Sequence, residues 1–193
     1  MGRRRVIDRD AVLDAAERVV SRNGAARLTL DAVAAEAGIS KASVLYDYKT
    51  KQMLIKAVIE RRVLAEDARI QACIDRLGPV ADAAIRGRIA ATARAIPDED
   101  RTVAISLCAT LAHDAELRQP IQKLYRERID EVLTTSSHPR GAMLAFLAAE
   151  AMVLMELFGL HAWPEAERAR LAAEIAWLVD QRPADPGEAA VMA

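Results

Sequence analysis

Helical patterning stops and restarts twice in quick succession within GISKASVLYDYKTK, residues 38–51. Gly38 can take the left-handed backbone that ends a helix, and Ser40 offers a hydroxyl oxygen to cap the next one. Lys49-Thr50 breaks that helix in turn, and Thr50 can cap its successor. Upstream, DRDAVLDAAERVVSRNG (8–24) repeats Val12, Leu13, Ala16, Val19 and Val20 at helical spacing, with Asp8 or Asp10 as cap and Asn23-Gly24 as stop. Thr29 caps a short helix through LDAVAAEA. The region must therefore fold as two short helices joined by AGIS, a helix-turn-helix. It feeds a long helix, KQMLIKAVIERRVLAEDARIQACIDRL (51–77), that meets no Gly or Pro before Gly78-Pro79.

The remainder follows the same rule. Just over half the residues are hydrophobic, Ala and Leu dominate, only 8 Gly and 7 Pro interrupt them, and strand-like alternation is absent. The expected class is all-α. Further helices are predicted over about 80–96, 99–113, 115–135, 139–160 and 164–181, punctuated by Pro97, Asp114, Ser136 to Pro139, and Pro164. Pro120 suits a helix's first turn and kinks a helix that starts earlier. We expect an N-terminal three-helix head (1–50), a helical body (51–182) and a disordered tail (183–193). Cys73 and Cys108 lack metal-type spacing and read as small core residues. The apolar run 142–160 is just long enough to suggest a membrane span, but Glu150 and Glu156 inside it favour burial against protein. With no secretory segment at MGRRRVIDRD, a cytoplasmic location is expected.

Charge is unevenly placed. Residues 1–56 carry 11 Lys/Arg and 7 Asp/Glu, whereas the rest carries 16 and 21, so a basic head sits on an acidic body. A polyanion partner at the head is implied. On a helix over 41–48, Val44 and Tyr48 share one face and can join Leu30, Val33, Ala34, Ala37 and Ile39 in a small core. Lys41, Ala42, Ser43, Leu45 and Tyr46 then face outward. Ala42 permits close approach to a groove wall, Ser43 can bond a base or phosphate, Leu45 can meet a thymine methyl, and Tyr46 can donate to phosphate. Lys51 adds a cation at the start of the long helix, and Thr29 and Ser40 stand at the starts of the two short ones. A solvated helical hairpin carries the same residues without binding anything, and the spacing alone leaves both readings open.

The stretch LTLDAVAAEAGISKASVLYDYKTKQMLIKAV resembles the N-terminal signature of TetR/AcrR-type transcriptional regulators, including both of its turns. The resemblance covers about 55 residues with the preceding helix. It implies an all-helical homodimer that binds a double-stranded DNA operator and usually represses transcription until a small molecule binds its C-terminal domain. Two positions depart from the pattern: Leu45, where Tyr is common, and Asp47, where His or Tyr often contacts phosphate. A carboxylate repels phosphate, so Asp47 is expected to turn to Lys51, four residues on, or to cytosine N4. Arg3, Arg4 and Arg5 are either a solvated charge run or an arm that reaches along the DNA.

In the body, the helix carrying Leu144, Leu147, Met152, Met155 and Phe158 must be covered on most sides, which a twofold partner can do, with Trp163, Ile175, Trp177 and Leu178 joining. Cys108, His113, Phe146, Glu150, Met155 and Glu156 are the candidate pocket, apolar groups with a few polar ones that suit a largely apolar effector. Alternatively, Glu150 and Glu156 sit at a solvated rim of the dimer. The far end of the long helix, near Ile70, Cys73 and Ile74, is placed to line or abut a pocket. His138 and His161 have no metal-ligand company, and no metal or cofactor is expected. There is no glycine-rich phosphate loop and no Ser/His/Asp spacing, so the expected function is that of a regulator and not an enzyme. The alternative is a helical adaptor that binds protein through 142–160.

Overall fold

A computed structural model describes residues 8–183; Arg3, Arg4, Arg5 and the tail from residue 184 lie outside the described residues. Helices α1 (Arg9–Asn23), α2 (Leu30–Ala37), α3 (Lys41–Asp47), α4 (Lys51–Leu77), α5 (Ala83–Thr92), α6 (Asp98–His113), α7 (Ala115–Thr135), α8 (Pro139–Leu157) and α9 (Glu165–Leu178) follow in order, with a 3₁₀ turn at Ala25–Arg27. No strand occurs among the described residues, so the expected all-α class holds.

Each start in the head has its cap. Asp8 accepts from the backbone N–H of Asp10 and Ala11, Thr29 from Ala32, Ser40 from Ser43, and Thr50 from Met53. Each satisfies N–H groups that a helix start leaves orphaned. Gly38, at φ 65°, ends α2 in the left-handed region.

The chain divides into two compact units. The first comprises residues up to Ala65 together with Pro97–Pro120, and the second Glu66–Ile96 with the chain from Ile121 onward. The cut therefore falls inside α4 rather than at its start. Physically this follows from the first half of α4 belonging to the head. Leu54, Ile55, Val58 and Ile59 are buried there with Val12, Ala16, Val20, Leu28, Val33 and Val44. Arg61 meets Asp14 and Glu17 at 2.6 and 2.7 Å, and Arg62 bridges Glu17 and Asp100 at 2.8 Å each, tying α4 to α1 and α6.

In the second unit, Ile85, Ile89, Val132, Ala145, Phe146, Ala149, Met152, Ile175 and Val179 form one core. Three helices are shorter here than the sequence pattern suggests. α5 begins at Ala83, not near 80, because Gly78 and Asp82 hold positive φ angles of 70° and 56°. Its end at Thr92 is tightened by the Thr92 hydroxyl donating to the Ile89 carbonyl at 2.7 Å. α8 stops at Leu157 because Gly159, at φ 65°, lets the Leu160 N–H return to the Met155 carbonyl. α9 ends at Leu178 in a run of i→i−3 bonds from Val179, Asp180 and Gln181.

Gly141, in the first turn of α8, lies against the backbone carbonyls of Leu178 and Gln181, and an added Cβ collides with both oxygens. Backbone atoms cannot swing aside as a side chain can. Gly141→Ala is therefore expected to destabilise the protein by about 1–3 kcal/mol, the usual cost of overpacking. Thermal unfolding checks this: an unchanged melting temperature refutes the close approach.

Candidate nucleic-acid interface

Helix α3 is only seven residues long, so packing and capping, not propensity, must hold it. Val44 and Tyr48 supply the packing; Tyr48 is 8% exposed. Burial also pushes the Tyr48 hydroxyl above its ordinary pKa, leaving it neutral. The opposite side is open. Lys41 and Ala42 are exposed, Tyr46 is 65% exposed, and Ser43, Leu45 and Asp47 are half-buried. Leu30, Ala37 and Ile39, expected in the core, are only half-buried.

The polar groups on this side are held, but not consumed. Ser43 Oγ lies 2.9 Å from Ser40 Oγ, and Thr29 Oγ1 accepts from Ala32 at 3.1 Å, which leaves the threonine O–H to donate elsewhere. Lys41 pairs with Asp31 at 2.9 Å across two exposed side chains. Lys51 donates to the Ala26 carbonyl at 2.8 Å, leaving two of its three ammonium protons. Lys49 donates to the Tyr46 carbonyl at 3.0 Å and stands 5.6 Å over the Tyr46 ring, a cation–π pairing.

Asp47 turns neither to Lys51 nor outward. Its Oδ1 accepts from Arg9 Nε and Nη2 at 3.0 and 2.9 Å, from the first turn of α1. The expected partner, Lys51 at the start of the next helix, is passed over for a cation 38 residues away in sequence. The hydrogen bond and charge of Asp47 raise the Arg9 pKa. The negative charge on this side is thus neutralised inside the head. α2 is fixed similarly: Glu36 accepts from Arg18 at 2.7 Å and Arg22 at 2.8 Å, and the Arg18 hydrogen bond lowers its pKa. That contribution is present at neutral pH and is lost as pH falls through the depressed range.

The six candidate pocket residues fall in two different units. Cys108 and exposed His113 lie on α6 in the first unit, where burial raises the Cys108 thiol pKa. The other four are on α8 in the second. Phe146 is core, and Met155 faces outward. Glu156 is not at a solvated rim: it is buried, bonded to Arg168 at 2.5 and 2.8 Å, and accepts from the Ile96 N–H at 3.3 Å. Glu150 accepts from the Tyr125 hydroxyl at 2.9 Å. The cleft in this unit lies elsewhere. It has a volume of about 500 Å³ and lies along α4, α5 and the later turns of α7, with Ile70, Ile74, Ala84, Arg88, Leu124 and Arg128 among its walls. Ile70 and Ile74 are where the sequence placed a pocket; Cys73 is buried beside them.

Comparison with known proteins places this arrangement. Residues 12–58 match the family description "Bacterial regulatory proteins, tetR family". Residues 82–180, more than half of the chain, match "Tetracyclin repressor-like, C-terminal domain". The chain belongs to the TetR family. No curated protein matches it. Solved structures share its fold at low identity. A TetR-family member from Streptomyces coelicolor A3 is 22% identical, with 86% of this chain and 96% of that one covered and a TM-score of 0.68. The multidrug binding protein EbrR complexed with malachite green gives 19%, 91%, 99% and 0.70. A transcriptional regulator from Saccharomonospora viridis in complex with choline gives 14%, 90%, 95% and 0.65.

As a TetR-family regulator, the chain carries its DNA-binding helix-turn-helix in α2 and α3. Lys49 and Arg9 contact the candidate residues Tyr46 and Asp47. A Tyr-x-x-Lys spacing across the end of a short helix was the signal for Lys49; nothing local signalled Arg9. Among the described residues, no helix is long and apolar enough to cross a membrane.

The two tyrosines give a paired test. Tyr48→Ala is expected to cost about 3–5 kcal/mol, as for other large buried aromatics. Tyr46→Ala should change stability by less than about 0.5 kcal/mol, as at ordinary surface positions. Chemical denaturation of both variants decides it; equal losses refute the division of α3 into an anchored and an open side.

Proposed function

We propose that the protein is a repressor, bound as a homodimer to a pseudo-palindromic operator and released when a small molecule occupies the second unit. In this reading residues 1–50, with Lys51 at the start of α4, bind DNA, and the rest of residues 51–182 holds the effector and the dimer partner. The protein works in the cytoplasm by binding, without a catalytic step or cofactor. The observation that carries the reading is the open side of α3. There Lys41, Ala42, Ser43, Leu45 and Tyr46 are presented by a helix anchored from behind, with Asp47 neutralised by Arg9. Such a helix suits the major groove: small and apolar groups meet base edges while Thr29, Ser40, Lys49 and Lys51 meet phosphates. Arg3, Arg4 and Arg5 precede α1 and extend the basic surface.

A stripe on α8 supports the dimer. Leu144, Leu147, Leu154 and Phe158 are all large, apolar and exposed, and with Ala151 they recur at alternating spacings of three and four, the pattern of a helix–helix seam. Exposed Trp177 on α9 adds to it. A contiguous apolar stripe of this kind marks an interaction site. The cleft supports the effector: about 500 Å³ lies within the usual range for small-molecule sites. EbrR and the Saccharomonospora regulator, which share the fold, are described with malachite green and choline bound. α4 runs unbroken from Lys51 to Leu77 and supplies residues to both units, so a ligand at Ile70 and Ile74 acts on the helix that begins beside α3. A preference for the released state of 1–3 kcal/mol lowers operator affinity about 5–150-fold.

The reading is tested by mobility shift on DNA upstream of the protein's own gene, across a salt series. Lys51→Ala is expected to weaken binding to all sequences and to reduce the salt slope by about 0.9, the share of one phosphate contact. An unchanged slope removes Lys51 from the contacts, and an absence of salt-dependent binding favours an adaptor that uses the α8 stripe. Leu147→Glu should turn a micromolar dimer into a monomer in sedimentation; a parent chain that is already monomeric and still binds operator tightly contradicts the dimer.

A further inference from the structure

The cleft in the second unit holds one unusual group. Arg88 reaches it from α5 with its side chain only 13% exposed, yet its guanidinium makes no hydrogen bond within the described residues. Its nearest carboxylate, Glu150, stands at 3.8 Å and already accepts from Tyr125 at 2.9 Å through its other oxygen. Beneath it is the Phe146 ring, 5.7 Å away. Five N–H donors largely out of solvent, with one carboxylate at 3.8 Å but no hydrogen-bonded acceptor, are costly unless something reaches them through the cleft.

The other charges in the cleft face another partner or solvent. Arg128 donates to Asp67 at 2.6 Å. Glu127 and Glu131 are exposed at the rim, Glu127 within 3.6 Å of Lys123. Burial, and then the like charge of Arg128, lowers the Arg88 pKa, as expected of a cation short of partners. An arginine remains charged at neutral pH nonetheless. The walls offered by Ile70, Ile74, Ala84 and Leu124 are apolar. An acidic rim repels multiply charged anions such as phosphate esters, while a single carboxylate on an apolar body can pass it and pair with Arg88 in two-pronged fashion.

Resting on the effector reading above, we propose that the cleft binds an amphipathic monocarboxylate, its carboxylate on Arg88 and its apolar body along Ile70, Ile74 and Leu124.

The test uses the full chain and matched probes: hexanoate, octanoate and decanoate, with octanamide as the neutral and octylamine as the cationic counterpart, followed by calorimetry. Saturable carboxylate binding is expected, at least about tenfold tighter than that of the amide, from the charge-assisted hydrogen bonds. Arg88→Gln should bring octanoate down to the level of octanamide, and Arg88→Lys should keep part of the difference. Glu150→Gln removes the competing carboxylate and should tighten octanoate binding several-fold; this variant decides the matter should Arg88→Gln fail to fold. The proposal is overturned if no carboxylate saturates, if octylamine binds more tightly than octanoate, or if both Arg88→Gln and Glu150→Gln leave octanoate binding unchanged. A parallel mobility shift, first without and then with each probe, separates the two levels. Loss of DNA binding without a probe counts against the regulator reading, whereas intact DNA binding with release by octylamine alone keeps that reading and rejects the carboxylate.

Discussion

The head depends on one anchoring constraint: a helix of seven residues has to present an open side while being too short to hold itself. Val44 and Tyr48 resolve this by entering the core that α1 and the first half of α4 build. Everything else on α3 follows from that commitment. Residues four apart at 44 and 48 fix which side faces inward, and so fix that 41, 42 and 46 face outward. The caps at Ser40 and Tyr48 set the length, and Gly38 supplies the left-handed residue needed to turn the chain from α2.

Charge serves different ends in the two units. In the first, exposed and half-exposed pairs link helices, and each pair is worth little alone. Arg61, Arg62, Asp14, Glu17 and Asp100, however, share partners, so the first half of α4 is held at several points at once. In the second, Glu156 and Arg168 form a buried pair with both carboxylate oxygens occupied and a further bond from Arg168 to the Trp163 carbonyl. Removing either partner strands a buried charge at a cost of about 3–5 kcal/mol. Such a pair orients α8 and α9 and has nothing left for a ligand. Arg88 is the contrasting case, half-buried, with its side chain 13% exposed, and lacking hydrogen bonds among the described residues.

The legible parts of the sequence were those governed by local chemistry. The caps at Asp8, Thr29, Ser40 and Thr50, the stops at Gly24 and Gly38, the span of α4 and the inward turn of Val44 and Tyr48 all depend on neighbours within about one helical turn. Helix ends set by backbone alone, such as the left-handed Asp82, were not legible, because a non-glycine residue gives no sign of a positive φ. Long-range pairing was not legible either: Asp47 to Arg9, and Glu156 to Arg168, were invisible to reasoning along one helix. The candidate pocket residues were chosen by the same reasoning along one helix. Rarity of polar groups in an apolar run pointed to α8, whereas the cleft is made where α4, α5 and α7 place charged and apolar residues side by side.

The pairs around α3 bear on how the proposed DNA contact forms. Lys41 holds Asp31, Lys49 holds a carbonyl and the Tyr46 ring, and Lys51 holds the Ala26 carbonyl. These contacts order long side chains before DNA arrives, which lowers the entropy lost on binding. They are also weak enough to exchange: an exposed ion pair contributes about 0–1 kcal/mol, less than a phosphate offers through counterion release. Asp47 is arranged the other way. Its side chain is mostly buried and bonded twice to Arg9, so it does not turn outward when a phosphate approaches. The open side of α3 therefore keeps its exchangeable cations while its one carboxylate stays engaged within the head, and the net field that a DNA backbone meets there is positive although the chain as a whole carries a net charge of −1.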